Sequence, residues 1–174
     1  RPYAAPHDDS TAVIVFYRAY LLAADPAPIE ALGRTLDQEG LNVRALYVAS
    51  LKDRDTGNFV ASILRELSPQ IVLNATAFSA RLDDAPSPLE AASAPILQVV
   101  FAGSSRDAWR DSPRGLSQSD HAMQVVLPEL DGRLLTTAIS FKAEESEVAG
   151  LEFARVAHQP AADGVAAAAR SASL

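Results

Sequence analysis

Five polar residues crowd one short stretch of this sequence. Asp120, His121, Glu129, Asp131 and Arg133 flank the apolar run at residues 123–127. Imidazoles and carboxylates are good ligands for divalent first-row metals. A glutamate in a partly dry cleft also has its pKa raised and can accept a proton near neutral pH. Glu129 is therefore the candidate catalytic base, and Glu129, Asp131 and His121 are candidate metal ligands. The plainer alternative is a turn between strands, because Asp131-Gly132 is a strong turn signal. His121, alone near an element boundary, also fits an ordinary surface histidine. A second candidate is Gly103-Ser104-Ser105-Arg106. Free backbone amides, the Ser104 hydroxyl and the Arg106 guanidinium could hold a carboxylate or phosphate there. A serine in that position also serves as a simple helix cap. The third is Tyr17-Arg18-Ala19-Tyr20, where Arg18 stands between two aromatics and could receive an acidic group or merely lie along the rings. Lys52, after Ser50-Leu51, is a similar case. The sequence has no Ser-His-Asp arrangement, no P-loop and no Gly-x-Gly-x-x-Gly after the first apolar run, so nucleotide binding has no motif support.

These residues need elements to hold them. Residues 12–17 (Ala-Val-Ile-Val-Phe-Tyr) form an unbroken, β-branched apolar run, which predicts a strand buried on both faces. Asp25-Pro26 then opens a helix carrying Ile29, Leu32 and Leu36, and Gly40 stops it. Residues 43–49 predict a second strand. Asn58 caps a second helix that ends near Ser68-Pro69. Residues 71–76 and 96–101 predict the next two strands, separated by a loop or short helix over 81–94. A short helix is predicted around residues 107–109. Residues 123–127 and 134–141 read as later strands, joined by the turn carrying Glu129. Alternation of strand and helix predicts an α/β fold: a mostly parallel sheet flanked by helices, flavodoxin-like or Rossmann-like. The expected boundaries are an N-terminal extension at 1–11, an α/β domain at 12–143, and a linker with the start of a helical region at 144–174. The alanine-rich tail predicts a surface helix, since alanine buries little area.

Composition narrows the partners. Of 174 residues, 48% are hydrophobic, which supports a real core, and the net charge is −7. Nucleic acids and anionic membranes demand clustered Lys and Arg, and the basic residues here are scattered. The absence of cysteine removes disulfides and thiolate chemistry and suits a cytoplasmic setting. No apolar run approaches the ~20 residues of a membrane-spanning helix. The chain starts at Arg1 without a signal-like segment, and the expectation is an interior piece of a longer protein.

An ordered set of segments resembles a known family. The segments are Val13-Ile14-Val15-Phe16-Tyr17-Arg18-Ala19, Val48-Ala49-Ser50-Leu51-Lys52-Asp53 and Pro95-Ile96-Leu97-Gln98-Val99-Val100. They continue with Ala108-Trp109-Arg110, Pro113-Arg114-Gly115-Leu116, Val126-Leu127-Pro128-Glu129-Leu130-Asp131-Gly132-Arg133 and Ala138-Ile139-Ser140-Phe141-Lys142-Ala143. Together they resemble the CobN family, the large subunits of aerobic cobaltochelatase, which are related to the large subunit of magnesium chelatase. The chain departs from the family at His121-Ala122-Met123-Gln124, where the family pattern looks like Ala-Met-His-Val. The resemblance implies a ligase activity that inserts Co²⁺ into hydrogenobyrinic acid a,c-diamide during cobalamin biosynthesis. It implies that ATP is hydrolysed by AAA+ and adhesion-type partner subunits, not by this chain, and that a fragment is inactive alone. The alternatives are a magnesium-chelatase domain acting on protoporphyrin IX and a non-catalytic scaffold that docks the ATPase partners. Glu129 matches the family block and carries over first.

Overall fold

The computed structural model describes residues 10–82, 85–145 and 155–173. Most of the expected N-terminal extension and the segment holding Glu147 lie outside those residues. Six strands form one sheet in the order β2-β1-β3-β4-β5-β6. They are β1 Thr11–Tyr17, β2 Asn42–Val48, β3 Ile71–Asn74, β4 Ile96–Phe101, β5 Leu134–Glu145 and β6 Arg155–Pro160. The first five are parallel, and β6 runs antiparallel to β5. Strand order 2-1-3-4-5 is the flavodoxin-like arrangement, so that alternative of the sequence reading holds.

The helices are α1 Arg18–Leu22, α2 Ala27–Gln38, α3 Arg54–Leu67, α4 Arg106–Asp111, α5 Gln118–His121, α6 Leu127–Glu129 and α7 Ala162–Ala172. In β1, the alternation of side chains sorts residues between two cores. Ala12, Ile14 and Phe16 pack with Leu32 and Leu36 of α2, and Val13 and Val15 pack with Val60 and Leu64 of α3. Each of these large aliphatic side chains is almost fully buried, stabilising by roughly 1.5–3 kcal/mol.

Four local expectations change. First, α3 begins at Arg54, with the Asp53 carboxylate accepting from Thr56 N at 2.8 Å, so Asp53 and not Asn58 is the cap. Second, residues 122–126 are not a strand. Ser117 caps α5, accepting from Asp120 N, and the helix continues through a π-helical segment Ala122–Val126 into α6. The apolar run at 123–127 thus belongs to a helix started upstream by a Ser-x-x-Asp cap. The extra residue of the π turn sets Gln124 against β4, where its amide accepts from Phe101 N at 2.8 Å and donates to Phe101 O at 2.7 Å. Third, β6 and the short α1 were absent from the reading. Fourth, the alanine-rich α7 is packed and not peripheral. Val165, Ala168 and Ala169 join the α2 core. Small side chains let the helix sit close to the sheet, and Gly164 is the point of closest approach, because a Cβ there would collide with the carbonyl oxygen of Ala138.

Candidate active site

In an open α/β sheet of this order, ligands bind beyond the carboxyl ends of the strands where the crossover direction reverses. Here that point lies between β1 and β3. A cleft of about 240 Å³ opens there, lined by Tyr17, Ser50, Lys52, Phe78 and Ser79, among others. Tyr17 ends β1 and donates its hydroxyl to Ala77 O at 2.9 Å, tying β1 to the loop after β3. Burial pushes the Tyr17 phenol up, partly opposed by the Arg133 guanidinium.

A buried polar network backs this cleft. Arg133 and Asp131 form an ion pair at 2.7 Å with both side chains fully buried. The Asp131 carboxylate also accepts from Ser79 Oγ and from Ala80 N, each at 2.6 Å. Arg133 reaches Gln98 Oε1 at 3.1 Å, and Gln98 joins Asn74 and Thr76 through bonds of 2.8–2.9 Å. Burial lowers the Arg133 pKa, and Asp131 counters by raising it. Arg133 Nε is buried with no hydrogen-bond partner among the described residues. The network fixes residues 79–80 to the turn before β5.

The sequence candidates fall into three groups. Glu129 is exposed at the end of α6, so its turn leads into the amino end of β5 and does not follow a strand's carboxyl end. His121 is exposed on α5. Asp131 has both carboxylate oxygens engaged, and a metal ion would have to displace Arg133, Ser79 or Ala80 to reach it. Asp131-Gly132 does form a turn, with Gly132 at φ +72° donating to Glu129 O. Among the described residues no three His, Asp or Glu side chains converge. Arg18 follows β1 and is exposed, at the same sheet edge as the cleft. Ser104 and Arg106 follow β4 at that edge. The Ser104 hydroxyl is buried with no hydrogen-bond partner among the described residues, and Arg106 pairs with Asp163 at 2.7 Å on the surface.

The CobN/Magnesium Chelatase family matches residues 3–174. The chain belongs to that family. It is 44% identical over 153 residues to a protein named aerobic cobaltochelatase subunit CobN from Sinorhizobium sp, covering 86% of this chain and 12% of that protein. A protein of the same name from Pseudomonas aeruginosa is 37% identical over 131 residues, covering 74% of this chain and 10% of that protein. A solved structure described as the catalytic subunit of cobaltochelatase from Mycobacterium tuberculosis aligns with a TM-score of 0.73 at 28% identity. That alignment covers 99% of this chain and 14% of the other. This chelatase-family chain thus spans between a tenth and a seventh of the length of the relatives it matches.

Sequence reasoning passed over two groups in this family member. Asn74 and Gln98 each sit as one polar residue inside an otherwise apolar strand, and that isolation was the available signal. His158 lies on β6, sharing a 3.1 Å hydrogen bond with Ser140 Oγ through Nδ1 and packing edge-on against Tyr20 and Phe101. Its backbone N donates to Asp25 at 3.0 Å. Burial lowers the His158 pKa, with Asp25 opposing. Nothing in its flanking sequence marks it, because its partners come from elements 18 to 138 positions away in the chain. Among the described residues no helix is long and apolar enough to cross a membrane.

Proposed function

We propose that the chain is a domain of the large subunit of an ATP-dependent cobaltochelatase, inserting Co²⁺ into hydrogenobyrinic acid a,c-diamide in the cytoplasm during cobalamin biosynthesis. The observation that carries this reading is the 44% identity to the Sinorhizobium cobaltochelatase subunit across 86% of the chain. On this reading, nucleotide hydrolysis belongs to AAA+ and adhesion-type partner subunits, in keeping with the lack of any phosphate-binding motif.

Insertion exchanges one divalent ion for two protons on ring nitrogens, so a site must strip water from the ion and accept protons. A carboxylate does both, as transient ligand and as base. Glu129 is the proposed carboxylate: it stands in the block resembling the family, is exposed, and has no ion-pair partner within 4 Å among the described residues. His121 is a proposed neighbouring ligand on the preceding helix. Asp131 is proposed to act at the same turn, through the hold it has on Arg133 and the loop at residues 79–80. Arg18, Ser104 and Arg106 are proposed to receive acidic side chains of the macrocycle along the carboxyl edge of β1 and β4.

The test is Glu129→Gln in the full-length subunit, assayed with its partners and ATP by the absorbance change on Co²⁺ insertion. Turnover is expected to fall at least a hundredfold, the scale of a lost general base. Substrate-dependent turnover at the wild-type rate would refute the role. Insertion of Mg²⁺ into protoporphyrin IX by the same assembly, without activity toward Co²⁺, would move the protein to the magnesium branch. A docking reading has one specific support, the exposed Val126 and Leu130 beside Glu129. Normal chelation by Glu129→Gln together with loss of ATPase-partner binding in Val126→Asp/Leu130→Asp would favour it.

A further inference from the structure

Phe78 stands at the lip of the switch-point cleft with two features that packing does not explain. The residue is 46% exposed, and its backbone lies at φ 65°, in the left-handed region that bulky side chains avoid. Strain of that kind survives where the surroundings enforce it, and it gathers at ligand sites. The enforcement is visible on both sides of the residue. Phe78 N donates to Met123 O at 2.7 Å, and the next two residues are tied to Asp131 through Ser79 Oγ and Ala80 N. Tyr17, from β1, holds Ala77 O. The loop therefore carries an exposed aromatic side chain on a backbone held from both sides. Lys52 lines the same cleft, is exposed, and has no ion-pair partner among the described residues. Its loop is shaped by a bond from Lys52 N to Ser50 Oγ at 3.2 Å.

The geometry points to Phe78 and Lys52 as a two-point subsite for a conjugated macrocycle carrying carboxylates, its conjugated face stacking on Phe78 and an acid group meeting the Lys52 ammonium. This deepens the chelatase reading and rests on it for the identity of the ring. The subsite is lined by Tyr17 and by the loops after β2 and β3, and its lining does not include Arg18, Ser104 or Arg106. Stacking on an aromatic is tolerant of ring substituents, since it uses the π-face, and a single flexible cation selects for charge more than for shape. The pair would orient a macrocycle without choosing between closely related rings.

The experiment measures the dissociation constants of metal-free hydrogenobyrinic acid a,c-diamide and of protoporphyrin IX for the full-length protein, by fluorescence and absorbance titration. Phe78→Gly separates binding from folding. Glycine accepts the positive φ freely and the lost ring is exposed, so the thermal midpoint should hold or rise while affinity falls roughly tenfold, in line with aromatic–ring stacking. Phe78→Trp should keep wild-type affinity. Lys52→Ala should weaken binding about three- to fivefold and flatten its salt dependence, and Lys52→Arg should restore both. Unchanged affinity in Phe78→Gly/Lys52→Ala, with the wild type binding a macrocycle, overturns the subsite and leaves the chelatase reading standing. Failure of the wild type to bind either macrocycle also overturns the subsite, while metal insertion with the partner subunits tests the chelatase reading separately.

Discussion

Replacing Asp131 with asparagine removes a charge from the least accessible ion pair among the described residues. Both side chains of the Asp131–Arg133 pair are fully buried, so no solvent can take over from the lost carboxylate. Arg133 would keep one neutral partner, Gln98 Oε1, while its Nε already lacks any. Breaking a buried pair by removing one partner costs about 3–5 kcal/mol, because the remaining charge stays desolvated. Two further bonds, from Ser79 Oγ and Ala80 N, lose a charged acceptor at the same time. Those bonds converge on the same carboxylate, Ala80 N on the oxygen that Arg133 also holds, so their loss overlaps with the first and does not add in full. The expected cost is therefore about 3–5 kcal/mol for Asp131→Asn by urea denaturation. The double change Asp131→Leu/Arg133→Met removes both charges and should recover much of that loss, since an apolar replacement of a buried pair is often neutral. Glu129→Gln, two residues away but exposed, should stay within about 0.5 kcal/mol of wild type. A loss below about 1 kcal/mol in Asp131→Asn would refute the reasoning. It would mean that Asp131 does not clamp the loop and is free to take another role, metal coordination included.

The remaining outcomes probe the other ends of the fold. Gly164→Ala should destabilise by about 1–3 kcal/mol or more, because a methyl driven against the Ala138 carbonyl forces α7 off the sheet; a thermal midpoint equal to wild type would count against that packing. His158 has a lowered folded-state pKa through burial, so the unfolded chain binds its proton more readily. Stability from this group is thus full above the unfolded value of about 6.5 and declines as pH falls below it. His158→Gln should flatten the pH dependence between about pH 7 and 5, and a parallel profile in wild type and variant would show that another group is responsible. Leu64→Ala, at a fully buried position in the α3 core, should cost about 2–5 kcal/mol by the same denaturation assay.

The parallel core of this domain was legible because its signals are local. Residues 12–17 form an apolar run that can be buried only on both faces, and β1 is an interior strand of the sheet, between β2 and β3. Leu32 and Leu36 at a helical spacing gave the buried stripe of α2. The failures come where a local pattern admits two answers. Met-Gln-Val-Val-Leu is as apolar as a strand, and its helical state is decided six residues earlier by the Ser117 cap and from the side by the Gln124–Phe101 bonds. The alanine-rich segment suggested weak anchoring on area alone. Its packing depends on shape: with Gly164 and six alanines it approaches the sheet more closely than a helix of larger residues could. Antiparallel β6 had no readable alternation, because its inward residues are Ala157 and His158.

The candidate site was legible in its ingredients and not in its arrangement. Glu129, Asp131 and Arg133 look equivalent in sequence, two residues apart and all charged. The turn at Gly132 separates them physically, leaving Glu129 in solvent and turning Asp131 and Arg133 inward onto each other. Burial then decides their chemistry. The inward pair has its charge satisfied and its oxygens occupied, so its natural work is to hold residues 79–80 and, through them, the strained Phe78 at the switch point. The outward carboxylate stays exposed to solvent, which on the proposed reading leaves it free for ligand exchange. A turn that looks like a cluster of metal ligands is, in three dimensions, a division of labour between a clamp and a free group. Comparing Asp131→Asn with Glu129→Gln in both folding and insertion therefore tests the arrangement itself. The clamp variant should lose stability first and activity as a consequence, and the free-group variant should lose activity alone.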